Sequence, residues 1–435
     1  MRNPASLLAP LVAVALAASA CSGNDPQPPA IVQAGWSWNP ALAADRPLPV
    51  VWKGTAAPQV LPLLPGGDCG ASGSVQALAS VNGAPYAVGI SVACSGGKAT
   101  MSPVAWHDGT VTPLPLPGSY TQGTALAVAT VDGHVFVAGG SGDGFPLPTI
   151  WKDGELGTRL PDNMLPPFAD SGLITSLVVT DKYAVAVGIV HMIGLDPPDF
   201  LGIVWVLDPD FTSVQATILI APEELLDGSF GGSVVSTFDG LNLYTAAALV
   251  YQGAEQPVFW IDETADSILS GDYATGPWGV PTGMQLVETT PYVTGYVRTS
   301  SKSGLPSPVI WTPTASMNLS TADASAPVGA AEAIALAYGW AFVGGESLGR
   351  DATDATRALS LPACWTNGNR QDLPALVPPG GGPLLGQPLF GWWSVPGTGA
   401  SPAVWPYPGG FAEVLRAKPV AAAGSAVLRA IITIP

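Results

Sequence analysis

An apolar residue followed by tryptophan recurs along the chain, as Val51-Trp52, Ala105-Trp106, Ile150-Trp151, Val204-Trp205, Phe259-Trp260, Ile310-Trp311, Cys364-Trp365 and Val404-Trp405. The tryptophans stand from about 40 to about 55 residues apart, the period of a repeat architecture in which each unit is one supersecondary element. Two of them open directly into turns, Trp106-His107-Asp108-Gly109 and Trp151-Lys152-Asp153-Gly154. Asp-Gly after a short apolar run signals a hairpin, because glycine takes a positive φ without steric cost.

Around each tryptophan the same strands can be read. A small-residue strand (A), clearest at Ala125-Leu126-Ala127-Val128-Ala129, turns at Val131-Asp132-Gly133. An aromatic strand ending in glycine (B) follows, Val135-Phe136-Val137-Ala138-Gly139. The tryptophan strand (C) and a short Leu/Pro strand (D), as in Val111-Thr112-Pro113-Leu114-Pro115, complete the unit. B strands begin near Ile31, Pro85, Val135, Tyr183, Leu243, Tyr292, Ala341 and Leu389. A strands start near Val75, Ala125, Ile174, Val234, Met284, Ala333 and Leu384, and a last one comes only at Ala426-Val427-Leu428-Arg429-Ala430-Ile431. The chain thus opens with B-C-D and ends with A. The expected fold is all-β: a single β-propeller of eight four-stranded blades over residues 31–435, its ring closed by pairing of the C-terminal strand with the N-terminal strands. Seven blades is the rival count, because the repeat near Leu384 is the shortest and its A strand is weak.

Composition agrees. Gly (52) and Pro (45) supply many turns, while 47% of residues are apolar and only 11% charged, which suits many short buried strands and not a disordered chain. The prolines and short strands also argue against a membrane barrel, whose strands need about 9–11 residues. The pattern resembles kelch-type propellers. More closely, Trp-x-Asp-Gly, then Leu, then a small-residue strand and a return to Trp resembles the HAF-type repeats of bacterial extracellular proteins. It departs from them at Tyr244-Thr245-Ala246-Ala247-Ala248, where the B-strand glycine is missing. The resemblance implies a fold and an exported location; neither family carries one function.

Residues 1–20 have the form of a secretory leader, with Arg2, an apolar run from Leu7 to Ala18, and small residues before Cys21. The junction resembles a bacterial lipobox, which implies a lipid on Cys21, and Ser22 after it implies the outer membrane of the cell envelope. Residues 21–30 then form the lipidated cysteine and a Pro-rich tether. In such a compartment disulfides are permitted. Cys69, Cys94 and Cys364 allow three pairings or none. Cys69 lies in a D–A connection and Cys94 in the next B–C connection, on one face, so Cys69–Cys94 is the expected pair. Cys364, beside Trp365, is expected to be a buried small hydrophobe.

The net charge of −17 repels nucleic acid and anionic lipid, so nucleic-acid binding is not expected and membrane association is expected through the lipid only. The repeated tryptophans Trp52, Trp106, Trp151, Trp205, Trp260, Trp311, Trp365 and Trp405 are expected between blades, each indole N–H on a carbonyl. The short A–B and C–D turns occupy one face; the long, irregular B–C and D–A connections occupy the other, which is the expected functional face. No catalytic or metal-binding motif stands out. His107, His134 and His191 have no ligand-spaced partner and are expected in turns or loops. Loop carboxylates cluster at Asp196, Asp199, Asp208 and Asp210, at Glu223, Glu224 and Asp227, and at Asp351 and Asp354. Such clusters could hold Ca²⁺ or cleave glycosides. Ser141-Gly142-Asp143-Gly144 resembles part of a calcium loop. No cofactor is expected beyond that possible Ca²⁺. The expected function is a monomeric, non-enzymatic binding or scaffolding lipoprotein for a protein or glycan. The alternative is a secreted propeller hydrolase or lyase using loop carboxylates near the axis.

Overall fold

The computed structural model describes residues 30–38, 47–54, 56–67, 71–96, 98–144, 146–159, 165, 169–192, 200–208, 214–225, 228–251, 254–269, 278–287, 289–298, 306–321, 328–337, 340–350, 358–366, 369–372 and 426–434. The leader, Cys21, Cys69 and the expected repeat from Leu384 to Trp405 lie outside them. The described residues form seven four-stranded antiparallel sheets and no α-helix. Blade 1 consists of β28 (Ala426–Ile434), β1 (Ala30–Trp38), β2 (Pro47–Lys53) and β3 (Gln59–Val60). Blade 2 is β4 (Ser72–Val81), β5 (Ala84–Ser95), β6 (Lys98–His107) and β7 (Thr110–Pro113). Blade 3 is β8 (Gly123–Val131), β9 (His134–Ser141), β10 (Leu147–Lys152) and β11 (Glu155–Arg159). Blade 4 is β12 (Ala169–Val179), β13 (Ala184–Met192), β14 (Phe200–Leu207) and β15 (Val214–Ile218). Blade 5 is β16 (Ser229–Phe238), β17 (Leu243–Tyr251), β18 (Ala254–Ile261) and β19 (Thr264–Ile268). Blade 6 is β20 (Trp278–Val287), β21 (Thr290–Arg298), β22 (Ser307–Thr312) and β23 (Ala315–Asn318). Blade 7 is β24 (Gly329–Ala337), β25 (Trp340–Arg350), β26 (Ala358–Thr366) and β27 (Asn369–Asp372).

The count of eight blades is corrected to seven. The A strands touch in a closed cycle, β4 on β8, β12, β16, β20, β24, β28 and back to β4. Leu48, Val50 and Trp52 of blade 1 share one apolar cluster with Ala335, Phe342 and Cys364 of blade 7. Blade 7 therefore packs directly on blade 1 and leaves no gap for another blade. β28 pairs with β1 inside blade 1, from Ala30 opposite Ile434 to Ser37 opposite Ala426. Among the described residues no ladder runs from one sheet to the next, so the ring as a whole is not closed by hydrogen bonds. The blades hold to each other through side chains.

The tryptophans supply much of that adhesion. Trp52, Trp106, Trp151, Trp205, Trp260, Trp311 and Trp365 are all buried. Trp106 Nε1 donates to the Pro62 carbonyl at 2.6 Å, Trp151 to Pro115 at 2.6 Å, Trp260 to Ile220 at 2.7 Å and Trp365 to Ser320 at 2.6 Å. Each acceptor lies just past the D strand of the preceding blade, so the indole fills the seam and pins the incoming connection.

The Asp of the Trp-x-Asp turn is a second fastener. Asp153 and Asp262 sit at φ of 54°. Their carboxylates accept the backbone N–H of Val135 (2.9 Å) and Leu243 (3.0 Å), at the start of the B strand. Tip and neighbouring strand are thus locked in register.

The glycine of the B strand answers to a feature of the A strand. In blades 2, 3, 4, 6 and 7 the A strand carries one extra residue: Gln76, Leu126, Thr175, Thr282 and Glu332 respectively. In blade 1 the same place holds Arg429. Opposite the residue before each bulge stands Gly35, Gly89, Gly139, Gly188, Gly295 or Gly345. The bulge turns a carbonyl across the strand gap, so a Cβ on Gly89, Gly139, Gly188, Gly295 or Gly345 would overlap the oxygen of Ser74, Thr124, Leu173, Val280 or Ala330. Blade 5 departs as its sequence does. Its A strand loops out residues 231–233 between Phe230 and Val234, and Ala247, at the glycine position two residues past the partner of Trp260, pairs with Val234 at the edge of that wider opening, which accommodates the methyl.

Candidate functional site

Strand alternation brings the B–C and D–A connections to one face. Of the carboxylates expected there, Asp196, Asp199, Asp210, Asp227, Asp351 and Asp354 lie outside the described residues. Glu223 is exposed on a single 3₁₀ turn, and Asp208 follows β14. Asp143 of the calcium-like fragment is engaged locally, since its Oδ1 accepts both the backbone N–H and the hydroxyl of Thr121 at 2.8 Å. Among the described residues no group of three His, Cys, Asp or Glu is gathered to hold a metal ion.

The strand ends under that face bring together charges that sequence reasoning passed over. Glu255, second residue of β18, is buried and forms an ion pair with Arg298, last residue of β21 in the next blade. Strand alternation explains the direction: Trp260 packs toward blade 4, and Phe259, with the parity of Glu255, packs toward blade 6. The Arg298 guanidinium lies over the Tyr296 ring, 5.1 Å from its centroid. Burial first, then the negative charges of Glu255 and Glu332, push the Tyr296 phenol well above its ordinary value and outweigh Arg298. Tyr296 therefore keeps its proton throughout the neutral range. Glu332 is the bulged residue of the innermost strand of blade 7 and is half-buried. Beside it, the hydroxyl of Thr282, the bulged residue of blade 6, donates to the Ala331 carbonyl. From the axis outward, blades 7, 6 and 5 thus offer a carboxylate, a protonated phenol, a guanidinium and a second carboxylate. The available signal was a lone charge inside an apolar strand, as in Ala330-Ala331-Glu332-Ala333-Ile334.

Removing one partner of the buried pair leaves an uncompensated charge. Arg298→Met is expected to cost about 3–5 kcal/mol in urea unfolding, with most of the loss recovered when Glu255→Met is added. A double variant whose loss equals the sum of the two single losses would show the pair to be uncoupled.

A second pairing lies at the same end of blade 4. His191 is not in a loop, as expected, but in β13, and its Nδ1 meets Asp170 Oδ1 at 2.7 Å. Ser171 Oγ donates to the same carboxylate oxygen at 2.6 Å. Burial raises the Asp170 pKa, and the bonds from Ser171 and His191 overcome it, leaving the carboxyl below its usual range. The other histidines belong to the short-turn face: His134 pairs with Asp153 at 2.7 Å, and His107 lies beside Asp108 at 3.3 Å.

Cys94 is buried, and its N–H donates to the Gly66 carbonyl at 2.9 Å. Cys364 is a free, buried thiol whose pKa burial pushes up to about 12. It holds no thiolate at neutral pH, so a thiol reagent such as Ellman's is expected to titrate it only after unfolding. Rapid reaction in the native protein would contradict that.

No protein-family model and no curated protein matches the chain. Among solved structures it is similar to the Trypanosoma rangeli sialidase in complex with sialic acid, at 8% identity and a TM-score of 0.38, over 73% of this chain and 55% of that one. It is also similar to the GH43 endo-arabinanase from Bacillus licheniformis, at 11% identity and a TM-score of 0.30, over 57% of this chain and 94% of that one. The xyloglucan GH43B of Bacteroides ovatus, at 11% identity and a TM-score of 0.28, covers 76% of this chain and 79% of its own. These neighbours correct the expectation of a non-enzymatic binding or scaffolding protein. They are glycoside hydrolases, so a disc with irregular loops on one face is no ground for reading a chain as a non-enzyme. At such identities and scores the likeness assigns no residue here a role.

Proposed function

We propose that the chain is a secreted propeller hydrolase or lyase acting on a glycan from its B–C/D–A face. The observation that carries this reading is the Glu332–Tyr296–Arg298–Glu255 assembly. Glycoside cleavage commonly employs two carboxyl groups about the scissile bond, and here Glu332 and Glu255 come from the blades on either side of Tyr296. Glu332, nearest the axis, is the carboxylate assigned to meet the substrate. Tyr296 keeps its proton and serves as a donor to the sugar oxygens. Arg298 pairs with Glu255 and stacks on Tyr296, which fixes the phenol.

The test is a panel of polysaccharides and aryl glycosides, read by release of reducing ends and of unsaturated products, with calcium and with chelator. Turnover is expected on at least one substrate class. Glu332→Gln is expected to lower it by roughly 100-fold or more, and Tyr296→Phe to lower it less. No turnover by the intact chain on any class would sink the proposal.

The same reading keeps the chain exported and acylated at Cys21, with Cys69 bonded to Cys94. The disulfide is supported by the bridge between Gly67 and Cys94, two residues before Cys69. Peptide mapping without reductant is expected to give a cross-linked Cys69/Cys94 fragment and an unlinked Cys364. Alkylation of Cys69 in the unreduced protein would refute the pairing.

A further inference from the structure

Blade 4 differs from the others described in having two irregularities in its A strand. Besides the bulge at Thr175, the register of β12 on β13 skips between Ala169 and Ser171, so Asp170 drops out of the ladder. A bulge costs ladder pairing and re-aims one side chain. Here the re-aimed side chain is the carboxylate that meets His191 Nδ1. The ring of Phe200, at the start of β14, lies 5.3 Å from the imidazole, tilted by 50°. The groups that face His191 thus include Asp170 from β12 and the Phe200 ring from β14. Its side chain is 16% exposed, and that of Asp170 is 30% exposed. Both stand at the end of their strands that carries the B–C and D–A connections.

We infer that His191 is an acid–base residue of this face, with Asp170 as its positioning residue, and that the group it serves is a hydroxyl of water or of a sugar. A carboxylate on Nδ1 fixes the proton there and makes Nε2 the basic nitrogen. Nε2 takes the proton of the hydroxyl as its oxygen bonds to the electrophilic carbon. Nδ1–H stays on Asp170 throughout, and the imidazolium then returns the proton to the departing oxygen. Ser171 is bonded to Asp170 and not to the imidazole, so it serves as a second brace of the carboxylate, not as a nucleophile. Glu332 lies three blades away around the ring, while Glu255, the member of that assembly in the next blade, turns away toward blade 6; this inference therefore rests on different residues.

The chain has three histidines, which makes chemical modification a clean probe. The intact protein would be treated with diethylpyrocarbonate from pH 5 to pH 8 and the three sites followed by peptide mass. His191 is expected to be acylated, and Asp170→Asn is expected to slow its reaction several-fold while leaving His107 unchanged. Nitrogen-15 NMR of the labelled histidines is expected to show neutral His191 protonated at Nδ1. Resistance of native His191 while His107 and His134 react, or a proton on Nε2 in the neutral form, would overturn the inference whatever the enzyme activity. On the glycan panel, His191→Gln is expected to lower turnover by roughly 100-fold or more, and Asp170→Asn to shift the pH profile. Turnover lost with Glu332→Gln but unchanged in His191→Gln overturns only this inference. Turnover lost with His191→Gln but unchanged in Glu332→Gln overturns only the Glu332 assignment.

Discussion

Gly139→Val is expected to destabilise the chain by at least about 3 kcal/mol, or to prevent its recovery as a folded protein. The new Cβ would stand on the Thr124 carbonyl, which the bulge at Leu126 has turned across the gap between β8 and β9. Neither element can withdraw easily. The oxygen belongs to backbone, and Val137 and Ala138, just before the glycine, are buried with no exposed surface. Gly188→Val is expected to behave alike, because its Cβ would meet Leu173 O in the same manner. Blade 5 provides the internal control. Ala247 occupies the corresponding position, two residues past the partner of Trp260, so Ala247→Gly is expected to cost only about 0.5–1 kcal/mol of strand entropy. Urea unfolding followed by far-ultraviolet circular dichroism measures all three. A Gly139→Val protein as stable as its parent would refute the carbonyl account of the repeat.

Trp151→Ala is expected to cost about 3–5 kcal/mol by the loss of a fully buried indole. Trp151→Phe separates the two parts of that loss. It refills most of the seam but leaves the Pro115 carbonyl without the indole N–H, for about 1–3 kcal/mol. If the two variants were equally destabilised, the hydrogen bond and not the packing would dominate. If phenylalanine were neutral, the bond would contribute nothing measurable.

The propeller was legible because two of its fasteners are written as short strings. Apolar-Trp places an indole in each seam, and Trp-x-Asp-Gly places both the turn and the carboxylate that ties it to the neighbouring B strand. The departure at Tyr244–Ala248 was visible too, though not its cause, since the wider bulge lies in another strand. Blade number was less legible. Val404-Trp405 repeats the local motif, but the count is decided by which A strands touch, and β24 meets β28 directly. The site was least legible. Attention goes to loops where carboxylates accumulate, such as Asp196 with Asp199, yet the assembly joins isolated charges from three blades. Glu255, Tyr296 and Glu332 share no spacing because a propeller converts ring position, not sequence distance, into proximity. His191 likewise looked like a loop residue until the skip at Asp170 supplied its partner.

Blade 1 sets the order in which this chain can mature. Its outer three strands come from residues 30–60, while their inner partner β28 comes from residues 426–434, beyond all six other blades in chain order. Until residues 426–434 are made, β1 has an open edge, so blade 1 is completed only after the strands of the other six blades exist. An open edge of that kind is a template for pairing with another chain. Once paired, the same ladder is a clasp within blade 1, holding Ala30 opposite Ile434 and so tying two segments far apart in the chain side by side.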